Sequence, residues 1–447
     1  MAAAKKIPEH SPALYILWDA SHIWGLMAWR AMRSLGMPCR LLKAKDIADG
    51  AFLGKPDHAP LLLVPGGSAR RKALALGGRG LEAVRAFVER GGNYLGFCGG
   101  AGLALSHKQR AQGLHICPLR RTVCSERLHH LISGHVLTRI EPENEFGPPP
   151  PSLKRDGKGR QPGCLRLPVW WPGRFEATGE RKRDVSVLAS YSAPDSDFCI
   201  VDMPLRRIPR HIFALWRDVY GVNFSADFPA GQPLVLSGKY GKGRYVLSHS
   251  HLETPSSPEA NAWLAVMLRV LTRSVPANGL VRQWDLRRRG TVWPDTKENA
   301  PLLSALRRSH ALLRLAVRHR LFFARTPWLA GWRAGLPGAT LNSLHAALCT
   351  AASLAPNEAA LEYWQASRAR FMQAANSFFA DAEGWLLAFR LSQTLAPFLP
   401  KTVDRRGLEE RRTALFGQPM QGGGLLEELL VVAEELVYLT QDKRAND

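Results

Sequence analysis

The sequence has no uninterrupted apolar run of the roughly 18 to 20 residues that a membrane-crossing helix needs. Its first residues, "MAAAKKIPEHSPALYILWDA", lack the apolar core and cleavage site of a secretory signal. A soluble, cytoplasmic protein is the expectation. Cysteine is scarce: Cys39, Cys98, Cys117, Cys124, Cys164, Cys199 and Cys349 are odd in number, scattered and without CxxC spacing. That pattern argues against a disulfide framework and against a zinc site. A phosphate-cradling glycine loop with its lysine is also missing, since "GKYGKGR" has neither the spacing nor the strand-to-helix setting and reads as a hairpin. No nucleotide, metal or other cofactor is expected, and no repeat of fixed period occurs.

Acidic residues are in the minority. Lys and Arg number 60 against 38 Asp and Glu, a formal charge of +22, which attracts nucleic acid, anionic lipid surfaces or acidic proteins. Ten arginines fall between residues 281 and 325. They read either as a phosphate-neutralising patch or as a solvated linker and helix face. The absence of any helix-turn-helix, zinc-finger or stacking-platform motif favours the second reading.

With 447 residues the chain has room for two or three units. Residues 13 to 105 alternate strand and helix signals: "ALYILWD", "PCRLLKA", "APLLLVPGG" and "NYLGFCGG" are short apolar runs bounded by Gly or Pro. Between them, "SHIWGLMAWRAMRSLG" reads as a helix ending at Gly36, and "RGLEAVRAFVERGG" sets Leu81, Val84, Phe87 and Val88 on one helical face. The order β-α-β-β-α-β predicts a mostly parallel α/β sheet with helices on both faces. Farther on, "DVSVLASY", "PLVLSGKYG" and "GRYVLSHSH" predict strands, and "SSPEANAWLAVMLRVL" a helix begun by Ser257 and Pro258. The proline-rich, charged stretch 141–163 predicts a surface insertion. Helical patterns then dominate ("APLLSALRRSHALLRLAVRHRLFF", "NEAALEYWQASRARFMQAANSFFADAEGWLLAFRLSQTL", "GLLEELLVVAEELVYLTQ"). The expected division is an α/β domain over 1–275, a basic linker over 276–300 and an appended α-helical domain over 301–447.

Chemistry is concentrated at Gly96-Phe97-Cys98-Gly99-Gly100, a G-x-C-x-G sequence at a strand-to-helix junction. Small residues suit a tight nucleophile elbow that lifts a thiol to the carboxyl end of the sheet. The following helix start favours thiolate. About 150 residues later, "LSHSHLETP" supplies His251 and Glu253, an imidazole to accept the thiol proton and a carboxylate to orient it. In an extended strand end, residues i and i+2 share a side; His249 lies on that side too and is a rival base. The Gly99 amide and one from the Gly66-Gly67 turn, Gly67 above all, are the natural oxyanion donors, with Gly66, Gly100 and Trp171 as candidate substrate contacts. Trp18, Trp24, Trp29 and Trp170 join Trp171 as candidates for a cleft, at least half of them for the core.

These residues carry a resemblance. The stretches 61–105 ("LLLVPGGSARRKALALGGRGLEAVRAFVERGGNYLGFCGGAGLAL"), 169–176, 187–191 and 240–253 ("YGKGRYVLSHSHLE") resemble the class I glutamine amidotransferase-like family. Within it, the nearest type is the domain at the N-terminus of biotin-protein ligases. The resemblance spans roughly residues 12–273 and implies a flavodoxin-like sheet, Cys98 as nucleophile, His251 as base and Glu253 as its orienting acid. Glutamine-hydrolysing members continue the elbow with His and Gln, where this chain has Gly99-Gly100-Ala101-Gly102, and no ligase catalytic domain is recognisable. The expected function is a cysteine-dependent hydrolase or amidotransferase-like activity on a small-molecule or peptide amide. The alternative is a non-catalytic binding or regulatory module of the same fold. A protein partner is expected through the helical domain, nucleic acid less so, and no membrane.

Overall fold

The computed structural model describes residues 12–50, 60–121, 131–141, 145–147, 164–176, 185–221, 230–287, 290–418 and 421–441. The chain forms two compact units, Met1–Gln283 and Trp284–Ala445.

The first unit contains β1 (Leu14–Leu17), α1 (His22–Leu35), β2 (Cys39–Leu42), α2 (Ala44–Ala48), β3 (Leu61–Val64), α3 (Ala69–Glu89), β4 (Asn93–Phe97) and α4 (Gly99–Ala104). There follow β5 (Arg120–Arg121), β6 (Ile132–Ile140), β7 (Cys164–Trp170), β8 (Phe175–Glu176), β9 (Val185–Pro194), β10 (Cys199–Ile200), β11 (Met203–Pro204) and α5 (Arg210–Tyr220). The unit is completed by β12 (Pro233–Tyr240), β13 (Gly243–Ser248) and α6 (Pro258–Thr272). Five neighbouring strands, in the order β2-β1-β3-β4-β13, run parallel. Their sequences are mostly apolar rather than alternating, because both faces are covered; every residue of β3 is buried. On one face α3 packs Leu81, Val84, Phe87 and Val88 against Leu62, Tyr94 and Tyr245. The opposite face takes α6, whose Leu271 carbonyl accepts from Asn93 Nδ2 at 2.7 Å. Gly36 stops α1 at φ 70°, and α3 is kinked at Gly77, φ 58°, conformations that glycine adopts without a steric penalty.

Beyond β13 the pairings turn antiparallel: β13 with β12, β12 with β9, β9 with β6, and β6 with β7 and β10. The expected parallel sheet is thus one half of a larger mixed sheet. Most of the stretch 141–163, expected as an insertion, lies outside the described residues; within it Phe146 is buried and the Gly147 carbonyl accepts from Trp263 Nε1 at 3.0 Å.

The second unit comprises α7 (Ala300–Arg318), β14 (Phe322–Thr326), β15 (Leu329–Trp332), α8 (Gly338–Ser353), α9 (Glu358–Leu395), α10 (Arg405–Phe416) and α11 (Gly424–Leu439). One correction falls here. The helix expected to run through "HRLFF" ends at Arg318, and Phe322–Thr326 pairs with Leu329–Trp332 as a hairpin, since aromatic residues before a Thr-Pro turn suit a strand. Asn342 closes that hairpin edge, donating to Ala330 O at 2.9 Å and accepting from Ala330 N at 2.8 Å. The segment 276–300, expected as a basic linker, divides between the units. Val281 is buried in the first, and Trp284, Leu286 and Trp293 are buried in the second. Of its arginines within the described residues, Arg282 and Arg287 are exposed. Among the described residues no helix is long and apolar enough to cross a membrane.

Candidate active site

At the end of β4 the chain turns sharply. Cys98 sits at φ 47°, ψ −102°, a region that costs a non-glycine residue of order 1–3 kcal/mol and persists only where surroundings enforce it. Two backbone hydrogen bonds do so: Cys98 N donates to Ser248 O at 2.7 Å, and Gly102 N donates to Cys98 O at 2.9 Å. The glycines around it are required by contact rather than by flexibility. A Cβ on Gly99 would stand 1.8 Å from Gly67 O, one on Gly100 2.0 Å from Val64 O, and one on Gly96 2.7 Å from Gly100 C. The elbow therefore lies backbone against backbone on the Pro65-Gly66-Gly67 turn, with Gly67 at φ 104°.

His251 and Glu253 lie three and five residues past β13. Their side chains meet, Nδ1 to Oε1 at 2.8 Å, with both fully buried. The geometry differs from the extended strand end expected: Thr254 N donates to His251 O at 3.0 Å, so a tight turn pairs the two. Asn261 of α6 clamps that turn, Nδ2 donating to Leu252 O at 2.8 Å and Thr254 O at 2.9 Å, while its Oδ1 accepts from Val281 N. His251 N is held by Pro168 O at 3.0 Å. The ring lies on Trp24, centroids 4.4 Å apart, and over Gly66, where a Cβ would fall 2.6 Å from Cε1 and 3.3 Å from Nε2.

His251 Nε2 is buried and has no hydrogen-bond partner of good geometry among the described residues. Burial opposes a charge on this imidazole, but the Glu253 carboxylate and the neighbouring Cys98 sulfur outweigh it and raise the group to about 9. The imidazole is set between Cys98 on one side and Glu253 on the other. The rival, His249, goes elsewhere: its ring packs on Phe175 at 4.1 Å and over Gly173, where a Cβ would lie 2.5 Å from Cε1.

Trp171, at φ 53°, presents its carbonyl 4.0 Å from Cys98 Sγ and meets Trp24 edge-on at 6.0 Å. Trp24 and Trp171 are part-buried at the site, whereas Trp18, Trp29 and Trp170 are core. Cys98 itself keeps partial solvent access. Three neighbours carry no signal in the sequence pattern. Tyr191 is buried beside Cys98, and burial together with the charge of Cys98 pushes its phenol well above the ordinary range, against the pull of Arg174. Lys72, wholly buried in α3, donates from Nζ to Ala20 O and Ser21 Oγ and so holds the loop on which Gly67 rests. Asn261 is the third. A buried lysine on an apolar helix face is the one readable hint.

Residues 55–115 match the family model described as biotin-protein ligase, N terminal.

The matched segment holds β3, α3, β4 and the elbow, and it supports the biotin-protein ligase type of resemblance drawn from the sequence. No curated protein matches the chain. Among solved structures, a protein from Thermoplasma acidophilum described as part of a GMP synthase aligns at 12% identity and TM-score 0.36, over 59% of this chain and 96% of its own. A ThuA-like protein from Bacteroides uniformis aligns at 14% identity and TM-score 0.35, over 60% and 95%. A beta-galactosidase from Bacillus circulans aligns at 10% and 0.31, over 59% of this chain and 32% of its own. Likenesses of that strength leave the chemistry to be argued from the residues themselves. Among the described residues no cluster of three or more His, Cys, Asp or Glu is arranged to hold a metal.

Proposed function

We propose that the first unit is an amidotransferase-like, flavodoxin-like domain that performs acyl transfer or hydrolysis through Cys98. The parallel order β2-β1-β3-β4-β13 follows the 2-1-3-4-5 winding in which ligands sit beyond the carboxyl ends of the strands. In the proposed step His251 Nε2 takes the thiol proton and Cys98 Sγ attacks an amide or related acyl carbon. The C–N bond breaks as His251 returns the proton to the leaving amine. Water, deprotonated by the same nitrogen, then cleaves the thioester to acid and thiol. Glu253 keeps the Nδ1 proton in place, and the Gly67 and Gly99 amides are the donors for the oxyanion. Gly66, Gly100 and Trp171 border the space left for substrate.

The observation that carries this reading is the buried imidazole shared by Glu253 and Cys98, with Nε2 unclaimed by any other described group. Glutamine is a poor candidate substrate, because Gly99, Gly100 and Gly102 offer no polar side chain to receive it. The same glycine run favours the second reading, a binding module that keeps the elbow without its chemistry.

The test is the pH dependence of Cys98 alkylation by iodoacetamide, followed by mass spectrometry, in the wild type and in His251→Ala. Rapid labelling near neutral pH that collapses about a hundredfold in the variant supports the triad. An ordinary thiol profile, unchanged by the substitution, leaves the binding module.

A further inference from the structure

The helix α5 has its apolar side outward. Ile212, Phe213, Leu215, Trp216, Val219 and Tyr220 recur at the i, i+3, i+4, i+7 spacing of one helical face, yet not one residue of α5 is buried. Leu215 is 52% exposed, Val219 62% and Tyr220 65%, while Ile212, Phe213 and Trp216 are half-buried. Among the described residues, the other helices of ten or more residues in this unit turn their apolar stripes into the core. The flank and approach to this face are basic: Arg217 lies beside it on the helix and Arg206 and Arg207 in the turn before it, all exposed. By the helical period Arg210 and the helix's single acid, Asp218, both lie on the side away from the apolar stripe.

We propose that α5 is an interfacial helix that seats the first unit on an anionic lipid surface. A helix with aromatic and aliphatic side chains on one side, arginine beside them and low overall hydrophobicity is the kind that lies in the headgroup plane. Trp216 and Tyr220 suit that depth, and the arginines meet lipid phosphates. Size separates this occupant from a protein. Eleven residues make a helix about 16 Å long, and one face of it is smaller than the roughly 800 Å² per partner that a stable protein interface uses. A bilayer sets no such minimum. The expectation of no membrane contact, which rests on the missing spanning segment, does not bear on a helix that lies flat.

The experiment is sedimentation of the full chain with phosphatidylcholine vesicles and with vesicles containing about 30% phosphatidylglycerol, in about 0.1 M salt. The comparison is the charge-neutral variant Leu215→Ser, Val219→Ser, Tyr220→Ser. All three positions are exposed, and protection of the buried Cys117 thiol from labelling checks that the variant is folded. The expected result is binding to the anionic vesicles that weakens roughly tenfold or more in the variant. Three results would overturn the proposal. They are no binding by the wild type, equal binding by the variant (general attraction to a chain of charge +22), and a wild-type dimer by light scattering that the variant converts to monomer, which makes a second copy the occupant.

Discussion

Replacing Glu253 by Gln keeps the shape of the His251 pair and removes its charge. In the wild type the imidazole rises from the ordinary 6.5 to about 9 in the folded protein, which corresponds to on the order of 3 kcal/mol in favour of its charged form. Because the folded value lies above the unfolded one, this stabilisation is complete below about pH 6.5 and is lost as the pH rises through about 9. With Gln at 253, burial acts on the ring with only Cys98 to oppose it, and most of the term disappears. The difference in stability between wild type and Glu253→Gln is therefore largest near pH 6 and shrinks toward pH 10. Urea unfolding of the first unit is read by brief thiol labelling of Cys117, wholly buried in its core, at a series of pH values. A difference that is flat with pH, or that grows as the solution becomes alkaline, refutes the assignment of charge to this pair.

Three further outcomes follow from contacts already described. Gly99→Ala drives a methyl group into the Gly67 carbonyl; it costs about 3 kcal/mol by urea titration and abolishes rapid alkylation of Cys98. His249→Phe, which keeps the stack on Phe175, leaves the alkylation rate within about twofold of wild type, whereas a His249 base would lose about a hundredfold. Asn261→Ala leaves two buried carbonyls and the Val281 amide short of partners. It lowers stability by about 3 kcal/mol and slows Cys98 labelling, and Asn261→Asp, which keeps the Oδ1 acceptor for Val281 but sets a second oxygen against the two carbonyls, recovers neither.

The parallel half of the sheet is legible because buried strands are written as short apolar runs between Gly and Pro: Gly36, the Pro65-Gly66-Gly67 turn and Gly91-Gly92 all fall between elements. The elbow is legible for the same reason, since only glycine fits where two backbones touch. Of the antiparallel half, β9, β12 and the β12–β13 hairpin are legible in "DVSVLASY", "PLVLSGKYG" and "GRYVLSHSH", whereas β6 and β7 are not. Strand β6 carries Gly134 and β7 carries Pro168, residues that dilute a strand pattern, and the pairing of β6 with β9 joins segments some fifty residues apart. Helix α8 is hard to read because it is buried on nearly every side and so shows no stripe. His251 and Glu253 stand out in the sequence, but for a strand geometry that a turn replaces. Trp24, a cleft candidate in the sequence, does reach the site, while Tyr191 and Asn261 reach it by tertiary contact, which leaves no local mark.

The two halves of the candidate site hang on one ladder. Parallel pairing of β4 with β13 sets Phe97 opposite Ser248; Cys98 follows the first strand by one residue and the His251 turn follows the second by three. Base and carboxylate are built into a single turn, which the Pro168 carbonyl of β7 and Asn261 hold in place. Apart from β7, Trp171 and Tyr191, the chain between residues 98 and 248 is, for the site, a closed loop. The entropy of closing a loop grows with the logarithm of its length, about 0.6 kcal/mol per doubling. The chain can therefore lengthen or shorten between Gly147 and Cys164 at little thermodynamic penalty, so long as β7 still brings the Pro168 carbonyl to His251.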